Sequence, residues 1–314
     1  MSRQTAQQSL PEIENLVHAV AGIQHVEEAY LQKKLDYQVL AYTLPPIEKR
    51  LNEAKAKTEI WIHTQGDLEK WSLAWFMAKM MCDLKRQTIA AEKGLQKAKN
   101  MEKEAQSEVD AVNIKLNDIE QDNEKNAIDH RSLIKYREEL DSLFEPIFAG
   151  QKYPTEENLS LRLNELQEEK SAIDQDVEAT SRVLELLKTV DFSLMEGIVD
   201  ARESSKQGGG GKIFFPDGAF NALKEARQLL PQLPSIVPPE TYTKSADDTG
   251  AYYTPMQRYL WDVKDKVAEL VPWCQQRTLE NIRKLHALEL QIGGKTDERN
   301  LERRRLLREV ILSA

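Results

Sequence analysis

The sequence predicts an all-α fold, an elongated helical bundle from which a long antiparallel coiled-coil hairpin projects. Three observations lead there. Charged residues make up 30% of the chain and aromatic residues only 7%, a balance typical of long helices rather than of a mixed sheet fold. Between Leu68 and Phe144 there is no proline and a single glycine, Gly94. On either side of the segment Glu139 to Asn158, apolar residues recur at alternating spacings of three and four, the pattern of a coiled-coil seam.

The first helix is expected from about Ser9, a capping residue with Pro11 in the first turn, to about Tyr42. Ile13, Leu16, Val17, Val20 and Ile23 lie on one face. Leu44, Pro45 and Pro46 should break it, because the residue before a proline is pushed out of the helical region. A second helix is expected from Ile47 to Ile62, ending near Gly66, with Asp67 as the next cap. From Leu68 a single helix to Phe144 would reach about 115 Å at 1.5 Å per residue. Within it Trp71, Leu73, Trp75, Phe76, Met77, Met80, Met81 and Leu84 fall nearly all round, which predicts the centre of a bundle. A partner groove or a lipid contact beside Lys79, Lys85 and Arg86 are the alternatives.

Pro146, Gly150 and Pro154 mark the stop, after which Thr155 caps a helix from Glu156 to about Arg202, with Glu156 and Glu157 at its positive end. So short a connection between long helices predicts an antiparallel hairpin. The two heptad patterns fit one another: Leu140 would meet Leu163, Ile119 would meet Leu184, Leu116 would meet Leu187, and Val109 would meet Leu194. The same register places Asn123 near Thr180, Asn126 near Val177 and His130 near Ile173. These polar positions read as a loosened stretch of hairpin, as a device fixing register, or as a ligand or pH-sensing role for His130.

The run Gly208 to Gly211 with Lys212 does not fit a phosphate-binding loop. Lys206 stands where the first glycine of that motif belongs, Ile213 where its hydroxyl belongs, and a helical pattern precedes it. The glycines instead let the chain leave the hairpin, with Ile213, Phe214 and Phe215 as anchors. A short helix from Pro216 to Leu230 and a Pro-, Ser- and Thr-rich connector to Pro255 follow, the connector packed through Ile236, Val237, Tyr242, Tyr252 and Tyr253. The last segment returns to helix, with a kink at Pro272, an end at Gly293 and Gly294, and a new cap at Thr296. Four regions result: a bundle part (1–99), the hairpin (100–203), the connector (204–255) and C-terminal helices packing back on the bundle (256–314).

The turn Glu139 to Asn158, the heptad helix after it and the glycine run leading to Ile213 and Phe214 together resemble an uncharacterised group of fungal coiled-coil proteins. There a similar acidic, aromatic-containing turn closes a helical hairpin and a glycine run follows the return helix. The resemblance spans about Glu139 to Phe220 and implies a fold and a source; no catalytic or binding residue comes with it.

A formal charge of −9 argues against whole-protein binding to nucleic acid. Two cysteines, Cys82 and Cys274, can build neither a disulfide framework nor a thiolate metal cage, which points to a reducing interior. The N-terminus has no apolar signal region, and no apolar run approaches the ~20 residues that span a bilayer. The five histidines form no compact ligand set, and the carboxylates follow helical surface patterns, so no catalytic, cofactor or metal residue emerges. Arg303, Arg304, Arg305 and Arg308 on the C-terminal helix are candidate contacts for lipid or for a partner. The expectation is a cytoplasmic, non-enzymatic scaffold that self-associates or binds a protein partner through its coiled coil. The alternative is a peripheral membrane-binding module, using those arginines or a basic strip from Lys85 to Lys103.

Overall fold

A computed structural model describes residues 3–69, 72–80, 84–150, 153–206, 216–235 and 255–312, and every element among them is a helix. In chain order these are α1 (Arg3–Ile23), α2 (Val26–Glu69), α3 (Leu73–Met80), α4 (Leu84–Phe148), α5 (Pro154–Lys206), α6 (Asp217–Leu229) and α7 (Pro255–Leu312). They divide between two compact units, Met1–Ile147 and Phe148–Ala314. The glycine run with its anchors Ile213, Phe214 and Phe215, the connector residues Ile236 to Tyr253, and Trp71, Met81 and Cys82 lie outside the described residues.

Helix is the state throughout, but its punctuation departs from the sequence reading. The first helix stops at Ile23 rather than near Tyr42, where Gln24 N–H donates to Val20 O and Glu27 N–H to Gln24 O before α2 begins. α2 then runs unbroken through Pro45 and Pro46, where a break was expected. Each proline removes an amide and crowds a carbonyl one turn back, a cost that tertiary packing must offset. Buried Leu31 on one side, and Leu51 and Ala54 on the other, supply that packing, and the Thr43 hydroxyl donates to Leu40 O at 2.7 Å just before the prolines.

α2 also passes Gly66 and ends three residues later. The single long helix expected from Leu68 is divided, because Ser72 starts α3: its Oγ accepts from Trp75 N–H at 3.0 Å, and Phe76 N–H donates to Ser72 O at 3.0 Å. α4 passes Pro146 and ends at Phe148, followed by Gly150 with φ of 75°, a left-handed value that a side chain resists. α7 is continuous through Pro272 and through Gly293 and Gly294. Thr296 does not cap a new helix; its hydroxyl donates within the helix to Ile292 O at 2.8 Å.

In unit 1, contacts between α2 and α4 run in opposite sequence order, which makes the helices antiparallel. Glu27 meets Arg137, Arg50 meets Glu108, and Leu68 packs on Ala91 with Trp61 beside them. Gly94 lets the Trp61 ring close in, since a Cβ there would sit 2.7 Å from it.

In unit 2, α5 and α7 are likewise antiparallel: Glu156 meets Arg303, Asp176 meets Arg277, and Gln257 Nε2 donates to Ile198 O at 3.0 Å. The heptad face of α5 finds its unit-2 partners on α6 and α7. Val183, Leu187, Val190, Leu194 and Ile198 share one core with Ala219, Ala222 and Ala226 of α6 and with Leu260, Val263, Val267, Leu270 and Cys274 of α7. The alanine face of α6 brings it close to α5, where Gly197 faces Pro216 and Gly218 faces Ser193.

Candidate interaction surfaces

Three buried or half-buried ionic contacts tie the long helices together, each between residues more than a hundred positions apart. In unit 1, Arg137 forks onto Glu27: Nη1 donates to Oε1 at 2.5 Å and Nη2 to Oε2 at 2.7 Å, with the two side chains 8% and 11% exposed. A bidentate pair so enclosed adds little net stability against an apolar pair, but it penalises any sliding that separates the charges.

One turn further along α2 and two turns back along α4, His130 stacks on Tyr30, ring centroids 4.2 Å apart, and Asn123 Nδ2 donates to Tyr30 O at 3.3 Å. Asn126 Nδ2 reaches Asn123 Oδ1 at 3.5 Å. The three residues read from the sequence as polar seam positions are therefore brought together, and in unit 1 Asn123 and His130 have α2 as their partner.

In unit 2 the corresponding contact is a small network. Arg277 Nε and Nη2 donate to Asp176 at 2.8 and 2.7 Å, and Asn281 Nδ2 donates to Asp176 Oδ2 at 2.5 Å. These donors favour the carboxylate, with Arg277 the largest influence, and hold its pKa below the ordinary value against the opposing effect of burial. Arg277 also lies over the Trp273 ring, 5.5 Å from its centroid, and buried Thr180 donates to Asp176 O at 2.7 Å. Lys264 pairs with Asp191 further along the same two helices.

The third contact claims one of the C-terminal arginines. Arg303 is buried; its Nε and Nη2 donate to Glu156 Oε1 at 2.8 and 2.6 Å, and its guanidinium lies 6.0 Å from the centre of the Phe148 ring. That side chain is thereby withdrawn from a surface contact. Arg305 is exposed but bracketed on its own helix by Glu302 and Glu309, and the Arg305 hydrogen bond holds the Glu302 carboxyl below its ordinary pKa. Arg304 is half-buried and Arg308 exposed, and both have polar or aromatic partners. The four arginines thus do not form one free basic face.

The Trp-rich segment differs from expectation in the opposite direction. A helix apolar on all sides was expected at the centre of a bundle, yet α3 exposes Phe76 (55%), Met77 (50%) and Met80 (72%). On α4, Ile114 and Ile128 are also exposed, fourteen positions apart and so on one stripe.

A groove of about 660 Å³ in unit 1 is lined by Thr58, Lys99, Glu102, Lys103, Gln106, Ser107 and Asp110, alternating charges without an activated nucleophile. Among the described residues no cluster of His, Cys, Asp or Glu could hold a metal, and no helix is long and apolar enough to cross a membrane. The Cys274 thiol is pushed up to about 11 by burial, which leaves it protonated and inert. No signal short of the fold itself identifies Glu27 with Arg137 or Asp176 with Arg277, whereas the exposure of α3 was open to recognition from its capping serine and its neighbouring cations. No protein-family profile matches the chain, and neither a curated protein nor a solved structure shows significant similarity to it.

Proposed function

We propose that this protein is a non-enzymatic scaffold, acting by coiled-coil self-association or by binding a helical protein partner, with residues 100–203 as an antiparallel hairpin that serves as its interaction rod. The observation that carries this reading is the pairing of helices 44 to 65 residues long by apolar stripes and by polar contacts that set their register. Register control matters in a protein whose work is to hold surfaces at fixed spacing. Ile114 and Ile128, exposed on one side of α4 and two heptads apart with the polar Gln121 between them, supply two apolar anchor points for another helix. Such anchors support association in water, because burying each isoleucine removes apolar area from solvent.

Sedimentation of the purified full chain over a wide range of concentration tests this. The expected result is a reversible oligomer, weakened in the variant Ile114→Glu/Ile128→Glu while helicity is unchanged. A chain that stays monomeric at every concentration, with the variant indistinguishable from wild type, rules out the homotypic form of this function.

A further inference from the structure

α3 combines three properties that a helix packed inside a protein does not combine. Its apolar side chains point to solvent: Phe76, Met77 and Met80 are each half or more exposed, and within the same unit Ile60 and Ile62 of α2 and Ile89 of α4 are exposed as well. Its start is fixed by hydrogen bonds rather than by burial of that face, since Ser72 accepts from Trp75 N–H and its hydroxyl donates to Asp67 O. And its one cation lies over an aromatic ring, with Lys79 Nζ 4.5 Å from the Trp75 centroid, which keeps a positive charge beside the exposed apolar side chains.

The surrounding charge is as distinctive. From Leu73 to Lys99 the sequence carries six Lys and Arg against two Asp and Glu, in a chain whose formal charge is −9. Lys79, Lys85, Arg86, Lys93 and Lys97 are all exposed. On α4, Arg86, Lys93 and Lys97 recur at spacings of seven and four and share a stripe, with Ile89 beside it, away from the Ala91 and Gly94 side that meets α2. The two acids within this span are Asp83, outside the described residues, and the exposed Glu92 on α4; the acids just before it, Asp67 and Glu69, belong to α2, where Glu69 accepts from Gln65 at 2.7 Å. A second copy of the chain would bring this cationic surround against itself, and like charges facing across an interface are unfavourable. An anionic sheet of headgroups over an apolar layer complements both features at once.

We propose that α3 is a membrane-surface anchor, with Phe76, Met77 and Met80 entering the interfacial layer of an anionic bilayer and Lys79, Lys85, Arg86, Lys93 and Lys97 lying among its headgroups. The attachment is peripheral and needs both signals, because three exposed apolar side chains hold weakly without the attraction of the cations. It is independent of the α4 stripe invoked for self-association.

Flotation of the full-length protein tests it, with vesicles of phosphatidylcholine alone and with phosphatidylserine added. The protein is expected to float with the anionic vesicles only, and less at high salt. Phe76→Ser/Met80→Ser should weaken this by about tenfold or more, and Lys85→Ala/Arg86→Ala by about fivefold for each charge removed. Arg304→Ala/Arg308→Ala should leave it unchanged. The residues substituted on α3 and at the start of α4 are exposed, and unaltered far-ultraviolet circular dichroism is expected for every variant and checks its fold. No flotation with anionic vesicles overturns the proposal, as does flotation that the α3 variants leave intact. An oligomer that Phe76→Ser/Met80→Ser abolishes, without vesicle binding, reassigns the face to a second copy.

Discussion

Asp176 concentrates at one side chain what holds α5 to α7. It accepts from Arg277 twice and from Asn281 once, and the pair is about a quarter exposed on each side, so solvent screens it more than a fully enclosed bridge. Asp176→Asn leaves Arg277 facing a neutral amide and is expected to cost on the order of 1–3 kcal/mol near neutral pH, read from urea unfolding. The pH dependence follows from the direction of the shift. Because the folded carboxyl titrates below its ordinary value of 3.8, its contribution is complete above that value and disappears as pH falls through the lower folded value. The stability gap between wild type and variant should therefore be constant above about pH 5 and close progressively below about pH 4. A gap that persists unchanged in acid would mean that shape, and not the carboxylate charge, joins the two helices. No short window of sequence could have shown this pair, since Asp176 and Arg277 each look like one more charge on a helical surface.

At the scale of single helices, glycine separates two situations that look alike in sequence. A Cβ at Gly294 would meet nothing within 4 Å, whereas at Gly197 it would come within 2.7 Å of Pro216 Cγ. Since α7 continues through Gly294, Gly294→Ala is expected to raise stability by about 0.5–1 kcal/mol through helix propensity alone. Gly197→Ala gains the same propensity but forces apart α5 and the start of α6 against a stiff proline ring, and should lower stability by about 1–3 kcal/mol. Thermal unfolding followed by circular dichroism checks both signs; a loss at Gly294 would restore the helix end that its sequence suggests. The helical state of nearly every segment was legible because 3.6-residue periodicity is a local property. The start of α5 was legible too, through Pro154 and the acidic residues that follow it. Breaks were read less well, because Pro45, Pro46, Pro272 and Gly66 are penalties whose outcome depends on packing elsewhere. Ser72 was a local signal passed over, and it is the residue that starts α3 afresh after α2. Of the surfaces, Asn123, Asn126 and His130 were singled out as polar seam positions, while Tyr30, the partner of Asn123 and His130, lies about a hundred residues away and leaves no trace near them.

At the scale of the whole chain, the composition of the unit-2 core bears on how the molecule folds. Every buried residue of that core lies between Val183 and Cys274, and α5, α6, α7 and the two leucines just after α6, Leu230 and Leu233, supply all of it. A core drawn from one unit needs no residue of the other to exclude water, so the fragment Phe148–Ala314 is expected to fold alone. Cys274 reports on this directly. It is fully buried at the end of the cluster and is the fragment's single cysteine, and burial pushes its thiol up to about 11. At mildly alkaline pH it is protonated and enclosed, so a thiol reagent can reach it only when the core opens. The fragment should label slowly, at a rate close to that of the full chain carrying Cys82→Ala, and both should label quickly in denaturing urea. Cooperative melting should accompany that protection. A fragment whose thiol reacts at the unfolded rate would show that helices of unit 1 complete the core. The two units would then act as one folding body, and a scaffold built from them would transmit strain along its length instead of offering two independently stable modules.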